Sequence, residues 1–489
     1  DSQYDPKGVG LPALPDSVFK YDGSREAWKP SVDAATAARR VLELVVASAS
    51  SAQPLPKDEG YRGIWYFNQP SGDRYKYKYS GGMATYPQQH APIAIYSKPA
   101  DKTFFVYGGT VKGKHELLHM LSYYDHQTGM VPRPVILMNK KTDDAHDNPT
   151  LSIDGEGYLW VFGSAHGTSR PAYIHRSRKP YSIDEFEQIV ETNFSYPQPW
   201  HIAGEGFLFL HTRYLDGGRS LFWMRSADGR RWTDPELLSR FELGHYQISL
   251  PNGKSVGTAF NYHPRPLGLN ERTNIYYLAT SDMGRTWKTA GGTAVTLPLK
   301  NPNNPALVHD FKTEKLLVYL KDMQYDDAGR PVLLYLTSRG FESGPKNDPR
   351  TLHTARWDGK AWVVRKVTTT DHNYDYGSLY VEPDGLWRIV ATTAPGPQAH
   401  GTGGEVVMWR SRDRGRTWSS KALTHGSTRN QNYPRRPLNA HPGFYAIWAD
   451  GNAFEPSDSN LYFTNRDGGG VWKLPPVMKQ DFEKPALLR

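Results

Sequence analysis

The chain of 489 residues contains no cysteine, which removes disulfide frameworks, thiol nucleophiles and thiolate metal sites together. It has no apolar run long enough to span a bilayer. The single His-Glu-x-x-His match, His115 to His119, does not lie in a helix-like run, so a catalytic zinc is not expected. A glycine-rich phosphate loop is missing, and the single Gly-x-Ser-x-Gly match, Gly253 to Gly257, is not followed by the helical run that a nucleophile elbow needs. No carboxylate pair for glycoside hydrolysis can be picked out. Asp143, Asp144, Asp147 and Asp154 cluster in sequence, but turn chemistry accounts for them equally well. Helix is scarce, since only the run from Ala34 to Val46, with Asp33 as its cap, reads as one.

What is present is β-like. Tyrosine (30), tryptophan (14), glycine (45) and proline (37) together favour short strands joined by many turns. Five tryptophans end one recurring phrase: an aspartate, one to three glycines, then Trp232, Trp287, Trp362, Trp418 or Trp472. Such a phrase describes a hairpin turn whose aromatic folds back onto the strands. Its aspartates, 228, 282, 358, 413 and 467, are spaced by 54, 76, 55 and 54 residues. A weaker copy runs from Ser152 to Trp160. A period near 54 is the length of one four-stranded propeller blade, and the interval of 76 requires a longer insertion. The expectation is an all-β, seven-bladed β-propeller over residues 59–489. Residues 1–58 read as a short extension that contains the one helix and packs on the propeller. The turn aspartates read as structural.

The net charge of +9 and a pI near 9.2 point to a polyanionic partner. Lysines and arginines are scattered and form no nucleic-acid-binding motif, so neither nucleic acid nor membrane is expected. Aromatics with scattered cations suit an acidic carbohydrate. The chain starts at Asp1 without a methionine, which together with that substrate suggests a removed leader and a secreted or periplasmic monomer. Several histidines stand in polar or turn-like contexts, among them His90, His146, His166, His201, His245, His263 and His372. His146 and His166 lie 20 residues apart, about one hairpin, and are expected on adjacent strands of one blade.

Five further phrases carry a family resemblance: Gly60–Tyr66, Tyr79–Tyr86, Phe104–Gly109, Gly257–His263 and Arg436–His441. With the aspartate turns, they resemble the BNR/Asp-box seven-bladed propeller group over about residues 59–475. That group includes ulvan lyases among the polysaccharide lyases, and α-L-rhamnosidases acting on rhamnose-capped arabinogalactan. The lyase resemblance implies β-elimination at a uronic acid of an acidic, sulfated, rhamnose-containing polysaccharide. It assigns catalysis to His146, His166 and Tyr246, with Tyr196 as a second tyrosine and Arg213 as the carboxylate-binding arginine. His263, Arg265, Tyr262, His245 and His90 are the accompanying substrate-binding candidates. Some lyases of the group carry an arginine sixteen residues after the catalytic tyrosine; that position is Tyr262 here, which leaves Arg265 or Arg213 to compensate. The chemistry needs no cofactor, and the group allows a structural Ca²⁺ whose ligands the sequence does not name. The rhamnosidase resemblance implies instead a single histidine, matched by His90, and a non-catalytic glycan-binding propeller is the third reading.

Overall fold

The alternation of side chains along each strand decides which core it feeds. Strand Gly206–Leu215 illustrates this. Leu208 and Leu210 enter one buried cluster with Trp223, Phe260 and Leu278. Phe207 and Phe209, one residue out of phase, enter another with Trp160 and Phe162. A strand apolar on both faces must lie between two neighbours, and residues 55–489 build a ring of such sheets.

The structure is a computed structural model that describes residues 54–83, 89–215, 217–266 and 268–488, and the backbone of a ladder pairing Phe19–Lys20 with Lys29–Pro30. The chain divides into two units, 1–54 and 55–489. The helix expected over Ala34–Val46, and the packing of the extension that contains it, lie outside the described residues. Among the described residues there is no α-helix, only three-residue turns of 3-10 helix such as Ala145–Asp147.

Six sheets are simple antiparallel meanders, over residues 149–192, 195–239, 247–309, 317–370, 377–422 and 430–487. The first five have four strands and the last has five. The expectation of seven blades is therefore corrected to six. In place of a seventh regular meander the chain builds a branched, seven-stranded sheet. Its strand Gly63–Pro70 pairs with Tyr77–Gly81, Lys102–Gly109 and Ser457–Ser459, so strands from both ends of the unit meet in it. The long interval between two aspartate turns is taken up by residues 281–306, which connect strand Thr273–Thr280 to Leu307–His309.

The turn phrases close as hairpins. Asp413 accepts from the backbone amides of Arg416 and Thr417, each at 2.9 Å, and from the Ser411 hydroxyl at 2.8 Å. Asp228, Asp282 and Asp358 do the same in their turns. In the last copy Asn465 accepts from the amides of Gly469 and Gly470. These turns join third to fourth strands, so a meander places them at the end opposite the starts of its inner strands. The inner strands, Pro149–Ile153, Ser195–Ile202, Gln247–Asn252, Leu317–Tyr325, Gly377–Val381 and Asn430–Arg435, are spatial neighbours in that order.

Candidate active site

The starts of successive inner strands converge, and each brings an aromatic or a histidine. His146 sits in the turn Ala145–Asp147 ahead of the strand from Pro149. Tyr196 opens the next inner strand, Tyr246 immediately precedes the third, Tyr319 lies in the fourth and Tyr374 precedes the fifth. Loops joining second to third strands reach the same end, because a meander returns there. They contribute His166, Tyr214 with Arg219, and His263 with Arg272.

These side chains form a closed circuit of contacts. His146 packs edge-on against Tyr196 (centroids 6.0 Å), Tyr196 against Tyr246 (5.7 Å), and the Arg272 guanidinium lies 5.0 Å from the centre of the Tyr246 ring. Arg272 then donates to the Tyr374 hydroxyl at 3.2 Å. Tyr374 packs on Tyr79 (5.0 Å), Tyr79 on Tyr66 (6.2 Å), and Tyr66 returns to His146 (5.9 Å). A second guanidinium, Arg219, stands 5.0 Å from the Tyr246 ring centre and donates to the Tyr214 hydroxyl at 3.0 Å. Tyr196 is held at φ 52°, beside a register shift between Ser195 and Gln198. Non-glycine residues occupy that left-handed region only where the surroundings impose it.

The two catalytic histidine candidates come together through one carboxylate. Nδ1 of His146 and Nδ1 of His166 donate to the two oxygens of Asp144, at 2.5 and 2.7 Å. The imidazoles stack with centroids 4.1 Å apart. Contrary to expectation they occupy not adjacent strands but two loops at one end, since the hairpin between them crosses the blade and comes back. Arg170 donates to Asp144 at 3.0 Å and grips Asp147 with two bonds of 2.9 Å, and Lys140 pairs with Asp147 at 3.3 Å. Burial alone would raise the Asp144 carboxyl, but His146 and His166 outweigh it and hold it well below the usual carboxylate range. Burial lowers the His146 imidazole, which stays neutral with its proton on Nδ1, toward Asp144. Burial likewise raises the Tyr196 phenol well above its ordinary value. The His166 side chain, at 30% exposure, is the open side of the group, whereas His146, Tyr196 and Tyr246 are buried.

Several sequence candidates fall elsewhere. Arg213 is one residue out of phase. The register pairs Tyr214 with Arg219 but Arg213 with Ser220, so Arg213 shares the strand face of His211, Phe209 and Phe207. Arg219 is the arginine that the site receives, and the hairpin joining the two strands was the signal for it. Tyr262 packs on Phe241 and Tyr276, and His245 is held between Asn261 and Ser239. Arg265 is exposed and contributes only its backbone amide, to Glu242. His263 does reach the site, edge-on to Tyr246 at 4.8 Å. His90 is fully buried and donates through Nε2 to the His146 carbonyl at 2.8 Å, which leaves the single-histidine alternative without an accessible imidazole.

Among the described residues, Asp144, His146 and His166 are the one group whose ligand atoms, within 4.8 Å of one another, could hold a metal. Two imidazole nitrogens and a carboxylate already engaged by Arg170 do not suit Ca²⁺, which takes oxygen ligands.

The family described as BNR repeat-containing matches residues 121–370, just over half of the chain. An ulvan lyase (PL25) of Pseudoalteromonas sp. strain PLSV is 22% identical over 319 residues, 56% of this chain and 64% of that protein. An ulvan lyase of Alteromonas sp. strain LOR is 23% identical over 371 residues, 67% of this chain and 73% of the relative. The chain thus spans somewhat less than two thirds of the first relative's length. Among solved structures, that of a PL25 ulvan lyase superposes with a TM-score of 0.67 at 16% identity, over 84% of this chain and 96% of that one. That likeness is one of fold.

Proposed function

The chain belongs to the BNR repeat-containing family, and from that premise we propose that it is a polysaccharide lyase. Its substrate on this reading is an acidic, ulvan-like polysaccharide carrying sulfate, rhamnose and uronate, cleaved by β-elimination at the uronic acid. The observation that carries the reading is one cluster holding two imidazoles on one carboxylate, two adjacent tyrosines and a guanidinium beside the second of them. The relatives named ulvan lyases add support.

The reaction removes the proton on C5, forms the C4–C5 double bond and expels the C4 oxygen, which takes up a proton. Neutralising the C5 carboxylate makes its neighbouring proton acidic, and Arg219 supplies the positive charge beside Tyr246. Tyr246, between Arg219 and Arg272, transfers the proton from C5 to the departing oxygen. His146 and His166 hold the uronate against it, with Asp144 fixing both rings so that each turns Nε2 away from the carboxylate. Tyr196, whose burial keeps its phenol protonated, remains a hydrogen-bond donor. No step requires a metal. Action on an extracellular polysaccharide implies export from the cell.

The test is ultraviolet absorbance during incubation with ulvan. Elimination creates a double bond conjugated to the carboxylate, and hydrolysis creates none. Rising absorbance is expected. A flat trace accompanied by newly released reducing ends would identify a hydrolase and end the lyase reading.

A further inference from the structure

Lys78 is a buried cation that the chemistry above does not use. It lies on strand Tyr77–Gly81 and is 5% exposed. Its ammonium donates to the Asn270 side-chain oxygen and sits 5.1 Å from the centre of the Phe341 ring. Among the described residues no carboxylate lies within ion-pair distance of it. Arg272 and Arg219 repel it, Glu342 attracts it, and its bonded partner Asn270 is neutral. Burying an unpaired charge costs several kcal/mol, so such a lysine either loses its proton or awaits an anion.

Its place in the circuit indicates which anion. Its partner Asn270 stands in the loop of Arg272, whose guanidinium donates to the Leu269 carbonyl at 2.9 Å and to the Tyr374 hydroxyl, and which connects to His146 through Tyr246 and Tyr196. We propose that Lys78, with Arg272, forms a second anion pocket across the mouth from the His146–His166 pair, taking an oxyanion substituent on the sugar next to the cleaved uronate. The pocket rests on the reading of this mouth as an acidic-polysaccharide site and adds the grip on the second sugar. The shared ligand chemistry is that of a sulfate ester or a second carboxylate. Burial first, then Arg272 and Arg219, pull the Lys78 ammonium down to about 7. An anion beside it reverses that fall. Binding at about pH 8 therefore takes up close to one proton, because the free lysine is mostly neutral there and the bound lysine charged.

The experiment is calorimetric binding of ulvan oligosaccharides at about pH 8, in two buffers of different ionisation enthalpy. The wild-type protein is expected to take up between about half and one proton per oligosaccharide bound. Lys78→Met should remove that uptake and weaken binding by about tenfold or more, whereas Lys78→Arg should retain binding without uptake, since arginine is always charged. Chemically desulfated oligosaccharides separate the two sources. Uptake lost on desulfation assigns the pocket to sulfate, and uptake retained assigns it to a carboxylate. Binding by the wild-type protein without proton uptake, undiminished uptake in Lys78→Met, or no binding at all would overturn the proposal. Binding with uptake but without an unsaturated product would preserve the pocket and remove only the lyase reading.

Discussion

His146 and His166 present their rings face to face, 4.1 Å apart, with both Nδ1 atoms bound to the same carboxylate. A single aspartate therefore sets the orientation of both imidazoles.

Removing the shared charge should show this directly. Asp144→Asn keeps the shape but loses the acceptor for one of the two Nδ1–H groups. The expected loss in kcat/KM is on the order of 10²-fold, with a displaced pH optimum. An unchanged pH profile would make Asp144 a turn residue only.

Tyr246→Phe removes one oxygen from a buried ring. Activity should fall by about 10²- to 10⁴-fold while the melting temperature stays within a few degrees. A variant that retained most of its rate would transfer the proton-handling role to Tyr196.

Strand phase gives a paired prediction. Arg219→Met should lower kcat/KM by roughly 10²- to 10³-fold, as expected when a charge-stabilising donor is lost. Arg213→Met, on the other strand face, should stay within a few-fold. The reverse order would refute the assignment of Arg219.

The fold should be acid-labile well above the carboxylate range. Burial lowers the imidazoles of His90, His211 and His245 to about 3. Below about pH 6.5 the unfolded chain binds protons at these sites and the folded chain does not, so stability falls as pH falls, by about 1.4 kcal/mol per pH unit for each histidine. Melting curves between about pH 7 and 4.5 should show a steep decline. A flat melting temperature over that range would contradict the burial of these rings.

The turn phrase made the ring of meanders legible, because a hairpin closed by an aspartate is a local event whose residues are contiguous in sequence. His146, His166, Tyr196 and Tyr246 were legible as candidates, and they do meet. Arg219 was not, because its role depends on strand register, and a shift of one residue exchanges Arg213 for Tyr214 on the inward face. Asp144 was passed over as a turn residue, and it is one: its carboxylate also accepts from the His146 backbone amide. The branched sheet had no sequence signal, since its pairing joins residues nearly 400 positions apart.

That pairing bears on how the molecule is made. Gly63, Ile64 and Trp65 ladder with Ser459, Asp458 and Ser457, so a nascent chain cannot shut the ring until its last blade has left the ribosome. The first sheet must wait with one flank uncovered, and bridging so long a loop is slow. Clipping either end of the ladder should therefore loosen the whole ring of sheets rather than fray a terminus, and the segment Ser457–Ser459 acts as its clasp.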